Sequence, residues 1–197
     1  MQNALIIRLA KNSDYAYADT ISAIYEESSK ERGTGIAIRT PEYIRTKISE
    51  DKAVIAFVGS EFAGFCYIET FSQGDYVSNS GLIVVAKYRG LGMGKKIKTK
   101  IFNLARDKYP EAKVFGITTS SAVMKINSDL GYRPVSFREL TDDEEFWKGC
   151  SSCPNYDILL RNNKSLCLCT GMLAPSKNEA MKLDLTHMIK NVEGKMG

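Results

Sequence analysis

Apolar residues recur along this chain in two rhythms. Short alternating or continuous runs mark strands at Ala4 to Ala10, Ala53 to Val58, Phe62 to Phe71, Leu82 to Val85 and Val114 to Thr118, and turn-forming residues bound most of them. Spacings of three and four mark helices. Tyr17, Ile21, Ile24, Tyr25 and Ser28 share one face of a first helix, introduced by the capping residues Asn12, Ser13 and Asp14 and stopped by Gly33 and Gly35. Thr40-Pro41 is a cap and first-turn pair for a short second helix with Ile44 and Ile48 on one side. Ile97, Ile101, Leu104 and Ala105 form the buried stripe of a third helix, with Lys95, Lys96, Lys98 and Lys100 expected in solvent and Tyr109-Pro110 at its end. Ser121 to Leu130, closed by Gly131, is a fourth.

Gly59-Ser60-Glu61 suits a hairpin between the second and third strands. Tyr132 to Phe137 and Tyr156 to Leu160 read as the last two strands, with an acidic, partly helical segment from Thr141 to Trp147 between them. Leu166 to Leu173 reads as one more strand behind a turn at Asn162-Asn163, and the polar tail from Pro175 carries a short helix at Glu179 to Asn191. The order is β, α, α, three strands, α, β, α, β, β. Residues 1–161 are expected as one domain and 162–197 as a C-terminal extension, a cysteine-rich hairpin and a polar tail.

Composition narrows the class of partner. The 197 residues are 44% hydrophobic and 25% charged, ordinary values for a globular domain large enough to bury a core. With 27 basic and 23 acidic residues the net charge is +4, which favours anionic small molecules without marking a nucleic-acid binder. The N-terminal apolar run is too short for a signal peptide and no stretch reaches the ~20 apolar residues of a membrane span, so a cytoplasmic protein without nucleic-acid or membrane partners is expected, as monomer or homodimer.

The densest chemical signal is Tyr88-Arg89-Gly90-Leu91-Gly92-Met93-Gly94-Lys95-Lys96, set between a strand and a helix. Glycines let a ligand approach the backbone, and the unpaired N–H groups and dipole of a helix N-terminus favour a phosphate there. A plain turn is the other reading. A Walker A loop fails because Gly94 is followed by two lysines, and a Rossmann fingerprint fails because the loop lies mid-chain after antiparallel strands.

Arg89-Gly90-Leu91-Gly92-Met93-Gly94 matches the Arg/Gln-x-x-Gly-x-Gly/Ala hallmark of the GCN5-related N-acetyltransferases, and the element order over residues 4 to 161 resembles theirs. The resemblance implies an α/β fold with a mixed central sheet, antiparallel N-terminal strands, splayed strands 4 and 5, and flanking helices. It implies acetyl-CoA or another acyl-CoA as co-substrate, its pyrophosphate held by the amides from Arg89 to Gly94 with Lys95 beside them. Its pantetheine arm would lie along Ile83, Val84 and Val85. Ile126-Asn127-Ser128-Asp129-Leu130-Gly131-Tyr132 keeps the family's Leu-Gly-aromatic ending but puts Asn127 where a proton-donating tyrosine is frequent, leaving Asn127 to hydrogen-bond the coenzyme.

Ile38-Arg39-Thr40 before the second helix and Ile117-Thr118-Thr119-Ser120-Ser121 after the fifth strand resemble the acyltransferase domain of N-acetylglutamate synthases. By that resemblance Arg39 pairs with an acceptor carboxylate and Thr118, Thr119 and Ser120 supply hydroxyls, although Ser120 stands where that family has a second arginine. The acceptor is then the amine of a small amino acid, glutamate favoured, attacking the thioester directly in a ternary complex, and the enzyme belongs with arginine biosynthesis. The alternatives are a catalytically weak acyl-CoA-binding regulatory module and an acetyltransferase of the same family acting on another amine. Glu69 is the candidate base, with Asp75 next, while His187 lies in the tail.

Cys150-x-x-Cys153 and Cys167-x-Cys169 stand outside that pattern. Two close thiol pairs suit a structural zinc, a redox pair or simply reduced cysteines, and alternate strand residues would aim Cys167 and Cys169 the same way.

Overall fold

The computed structural model describes residues 4–32 and 37–183. The expected stops at Gly33 and Gly35, His187 and the part of the expected tail helix from 184 to 191 lie outside the described residues; residues 177–183 are helical.

The chain runs β1 (Leu5–Leu9), α1 (Ala18–Arg32), α2 (Pro41–Ser49), β2 (Ala53–Val58), β3 (Glu61–Phe71), β4 (Tyr76–Val84), α3 (Met93–Lys108), β5 (Lys113–Thr118), α4 (Ser121–Asp129), β6 (Arg133–Val135), α5 (Glu144–Lys148), α6 (Tyr156–Arg161) and β7 (Thr170–Ala174). The strands form one sheet in the order β1-β2-β3-β4-β5-β7-β6, parallel at β4–β5 and antiparallel at every other junction. Alternation along β2 sorts its side chains: Val54 and Ala56 face a core with Ile97, Ile101 and Phe102 of α3, while Ile55 and Phe57 face one with Ile21 and Tyr25 of α1 and Ile44 and Ile48 of α2. A third cluster, Phe115, Phe137, Leu140, Trp147, Leu159 and Leu173, fills the C-terminal end.

Two features of β4 prepare the site. Its pairing with β5 runs only from Tyr76↔Lys113 to Ser78↔Phe115, after which the strands part while β5 continues along β7. Its pairing with β3 slips between Phe65↔Ile83 and Tyr67↔Ser80, so β4 carries one extra residue, a bulge at Gly81-Leu82.

Four expectations are corrected. Tyr156 to Leu160 is helix α6, because the run is too short for periodicity to separate strand from helix and only Leu159 is buried. The last strand is β7, inserted between β5 and β6, so residues 162–197 contribute a sheet strand. The expected strand from Leu166 begins only at Thr170, since Leu166 and Leu168 are both 60% exposed. Lys98 is buried, because the packed stripe of α3 includes 97, 98, 101, 102 and 105.

The entry to α1 supplies a stability test. Buried Asp14 takes two hydrogen bonds from Arg8, at 2.7 and 2.8 Å, and one from the Lys11 amide at 2.7 Å. Asp14→Asn is expected to cost about 2 kcal/mol, because charge-assisted bonds are worth ~1.5–3 kcal/mol each and Arg8 keeps partial access to water. At about 2–4 °C per kcal/mol for a domain of this size, calorimetry should show a melting temperature lower by about 4–8 °C. The bond from Arg8 holds the Asp14 carboxyl below its ordinary range. Its contribution is therefore present above the unfolded value of ~3.9 and fades as pH falls through the lower folded value, so the two melting curves should converge in acid.

Candidate active site

β4 ends in a single 3-10 turn, Ala86–Tyr88, and the glycine loop follows. Gly90 and Gly92 have φ of +80° and +72°, left-handed values that a side chain resists, and a Cβ on either would meet nothing within 4 Å. The loop thus presents bare backbone to open space. The first helical bond of α3 is from Lys96 N–H to Gly92 O at 3.3 Å, so the amides of Met93, Gly94 and Lys95 have no acceptor within the helix, and its first turn holds no acid. The Arg89 side chain folds back onto the end of β4, donating from Nε to Val84 O at 3.1 Å, and lies 3.6 Å from Glu31. Lys95 pairs with Asp129 of α4 at 2.7 Å.

A cavity of about 550 Å³ opens where β4 and β5 part. Ser80, Gly81 and Leu82 form one lip and Gly116, Ile117 and Thr118 the other, with Asn127 of α4 and Lys98 of α3 beneath. Asn127 is 2% exposed, its Nδ2 touches Met172 Sδ at 3.6 Å, and its Oδ1 has no partner. A buried oxygen without a donor is costly unless a ligand supplies one.

The opposite wall is cationic and aromatic. Arg39 lines the cavity, donates from Nε to Tyr67 Oη at 2.6 Å and from Nη1 to Ile38 O at 3.3 Å, and lies 5.1 Å from the centre of the Tyr43 ring. Burial pushes both tyrosine hydroxyls up by desolvation, against the opposing pull of the Arg39 charge, and both stay protonated. Glu69 also lines this wall, but its carboxylate is committed: Lys47 stands 2.5 Å away, Lys52 3.7 Å, and the Tyr43 hydroxyl donates at 3.0 Å. Asp75 is an exposed turn residue away from the cavity lining. Thr118 lines the cavity, whereas Ser120 caps α4 by accepting from Val123 N–H, and Thr119 is outside the lining.

All four cysteines of the two pairs line the third side, with Phe146, Tyr156 and Leu159. The expected structural zinc is not supported. Among the described residues no group of three or more Cys, His, Asp or Glu converges as a metal site, and each of the four thiols is free. Cys167 and Cys169 lie in a loop rather than on a strand, so alternation does not align them. Burial pushes the Cys150 thiol up to about 11 and the Cys169 thiol up to about 12, so both are protonated near neutral pH.

The comparisons with known proteins follow this geometry. Of the solved structures, N-acetylglutamate synthase from Neisseria gonorrhoeae, complexed with coenzyme A and N-acetyl-glutamate, superposes with a TM-score of 0.61 at 17% identity, covering 89% of this chain and 36% of that one. Rv2747 from Mycobacterium tuberculosis, in complex with CoA and NLQ, gives 0.60 at 16% identity over 86% of this chain and 98% of that one. The chain has the fold of the GCN5-related N-acetyltransferases. In sequence, residues of this chain are 35% identical over 94 positions to the thialysine N-epsilon-acetyltransferase of Caenorhabditis elegans, 45% of this chain and 58% of that protein. The chain therefore spans less than two thirds of the curated relative it matches. No family model matches.

Sequence reasoning missed Tyr43, Tyr67 and Lys98. Tyr43 stands one residue before Ile44, on the apolar side of α2, and Tyr67 alternates with Phe65 on β3; both signals mark core, and only the fold brings them to Arg39.

Proposed function

We propose that this protein is an acyl-CoA-dependent N-acyltransferase that moves an acetyl or similar acyl group, such as succinyl, to the amine of a small amino acid, glutamate favoured. The observation that carries the reading is a single cavity that joins the open edge of β4 to Arg39. Around it, the amides of Arg89 to Gly94 hold the pyrophosphate, assisted by Lys95. The pantetheine arm runs along the stretch from Ile83 to Val85, toward a cavity where Asn127 Oδ1 waits for a donor. Arg39 takes the acceptor carboxylate in a two-pronged pair, with Thr118 at the far side. Glu69 receives the acceptor's first proton through water, and a backbone amide of bulged β4 meets the oxyanion. The setting is cytoplasmic, in amino-acid metabolism such as arginine biosynthesis, with the chain as monomer or homodimer.

Support for the acceptor comes from the N-acetylglutamate synthase neighbour complexed with coenzyme A and N-acetyl-glutamate. A second reading, a lysine-like acceptor, is favoured by the thialysine acetyltransferase relative and by Glu145, which lines the same cavity with its carboxylate paired to Lys148.

The test is thiol release from acetyl-CoA with glutamate, lysine, thialysine, a polyamine and an aminoglycoside. Turnover with glutamate supports the first reading, and turnover with lysine or thialysine alone supports the second. Polyamine or aminoglycoside turnover without any amino acid would remove the carboxylate argument, and release at the hydrolysis background with every acceptor would leave a binding module. Arg39→Ala is expected to raise the amino-acid KM about 30–100-fold, the value of a lost charge-assisted pair, with little change in the KM for acetyl-CoA. An unchanged acceptor KM overturns the role of Arg39.

A further inference from the structure

The point where β4 and β5 part holds a lysine that the coenzyme loop and the acceptor wall do not explain. Lys98 is 3% exposed and lines the cavity, and its Nζ lies 3.4 Å from the carbonyl oxygen of Asn79. Asn79 is the first residue of β4 beyond the last β4–β5 pair, and a Cβ on Gly116 across the gap would stand 3.5 Å from the same oxygen. The amine therefore sits at the floor of the splay, under the place where strand-edge pairing would bring the thioester. Among the described residues Lys98 has no carboxylate partner. The groups packed around it are the Cys66 thiol of β3, Asn79 of β4, Asn127 of α4, and the Tyr132 hydroxyl, which lies 3.5 Å from Asn79 Nδ2.

A buried ammonium without a counter-ion is disfavoured, and burial draws the Lys98 pKa down. The same burial pushes Cys66 up to about 11 and raises Tyr132, so both of these stay neutral where Lys98 titrates. Asn127, in the position where the resemblance leads one to expect a tyrosine, has no proton to give.

We propose that Lys98 is a catalytic residue of acyl transfer, carrying a proton from the acceptor nitrogen to the departing sulfur of the coenzyme. The inference rests on the acyltransferase reading. The acceptor ammonium first loses one proton, and its lone pair then bonds to the thioester carbon while the carbonyl π pair moves to oxygen. The nitrogen of this tetrahedral species is positively charged, and neutral Lys98 takes one of its protons. As the oxygen pair re-forms the carbonyl, the C–S bond breaks and the Lys98 ammonium returns that proton to the thiolate. Amide, thiol and neutral lysine remain, and the net release is the acceptor's first proton.

Lys98→Met removes the amine and keeps its apolar stem. General acid–base catalysis contributes about 100–10,000-fold, so kcat is expected to fall by about that factor while the KM for acyl-CoA stays within about threefold. The rise of kcat with pH that marks Lys98 losing its proton should vanish. A donor thioester of an electron-poor aryl thiol, which leaves without protonation, should return the variant toward wild-type rate, a rescue that a merely structural loss would not allow. Lys98→Gln retains a donor for Asn79 O but cannot shuttle a proton, and it should show the same loss; wild-type kcat in Lys98→Gln overturns the proposal. So does wild-type kcat within about threefold in Lys98→Met, which leaves the acyltransferase reading standing. Absence of thiol release from the wild-type protein with every acceptor overturns both.

Discussion

Gly94→Asp is expected to leave the fold intact and to weaken acyl-CoA binding about 1,000-fold. Gly94 is the second residue of α3, and a Cβ there meets only side-chain methyls at 3.8 to 4.0 Å, an ordinary contact. An acid in the first turn also complements the helix dipole, so stability should hold or rise. The same carboxylate would stand on the first turn of α3, whose amides are proposed to hold the pyrophosphate. Two like charges about 4 Å apart repel by ~4 kcal/mol at the effective dielectric of a protein surface, close to three decades in Kd. Calorimetric titration with acetyl-CoA reads this directly. Thermal shift gives an independent measure, since ligand at about 100 Kd stabilises the wild type by ~2.7 kcal/mol and should not move the variant. Gly94→Asn supplies the same shape without the charge, and its loss should be far smaller and less sensitive to salt. Binding by Gly94→Asp within about tenfold of wild type would take the pyrophosphate away from this loop.

That prediction rests on a feature legible in one line of sequence, and its legibility has a physical cause. The loop is local: the glycine conformations and the helix N-terminus that follows them are set by neighbouring residues in the sequence, so the proposed phosphate site can be read from residue types. The first three strands, the fifth and four helices were legible for a similar reason, because a sheet with a core on each face imposes period two on β2 and β3 and period 3.6 on α1 to α4, whereas the fourth strand, read as Leu82 to Val85, begins at Tyr76. Beyond Gly131 the rhythm fails. β6 has three residues, α5 five and α6 six, lengths at which neither period can declare itself, so α6 reads as a strand and β7 begins later than its apolar run.

The cavity was legible only in pieces. Periodicity tells which face a residue occupies and is silent on what stands opposite. Arg39 reads as a charge near a helix start, yet its closest partner, Tyr67, is 28 positions away on β3. Glu69 reads as a free strand-end carboxylate, while the fold brings Lys47, Lys52 and Tyr43 onto it. Lys98 sits among Lys95, Lys96 and Lys100, which solvate as expected, and only its position beside Ile97 and Ile101 on the inner face separates it from them. The cysteine spacing suggests a metal because spacing assumes a hairpin; the loop from 162 to 169 removes that assumption.

Gly81→Ala is expected to destabilise the fold by about 4 kcal/mol, lowering the melting temperature by about 10 °C, and to impair the acceptor side of the cavity with it. Gly81 has φ of +65°, and a Cβ there would lie 2.3 Å from Tyr67 Cε1 and 2.5 Å from the Tyr25 hydroxyl oxygen. The left-handed conformation costs a residue with a side chain ~1–2 kcal/mol, and overpacking a filled core costs a further ~1–3 kcal/mol. Neither ring can retreat cheaply. Tyr25 is fully buried and its hydroxyl donates to Gly81 O at 2.5 Å, while Tyr67 is 2% exposed, edge-on to Tyr43 and bonded to Arg39. Movement of Tyr67 therefore moves the guanidinium proposed to hold the acceptor carboxylate. The distinguishing measurement is a double-mutant cycle: Tyr67→Leu gives space to the new Cβ, so Gly81→Ala should cost less in that background, by at least ~1 kcal/mol. Additive costs would place the penalty in backbone strain alone and detach Gly81 from the acceptor wall. Coupled costs would mean that one glycine sets both the bulge of β4 and the position of Arg39, joining the proposed donor side of the cavity to the proposed acceptor side through a single ring.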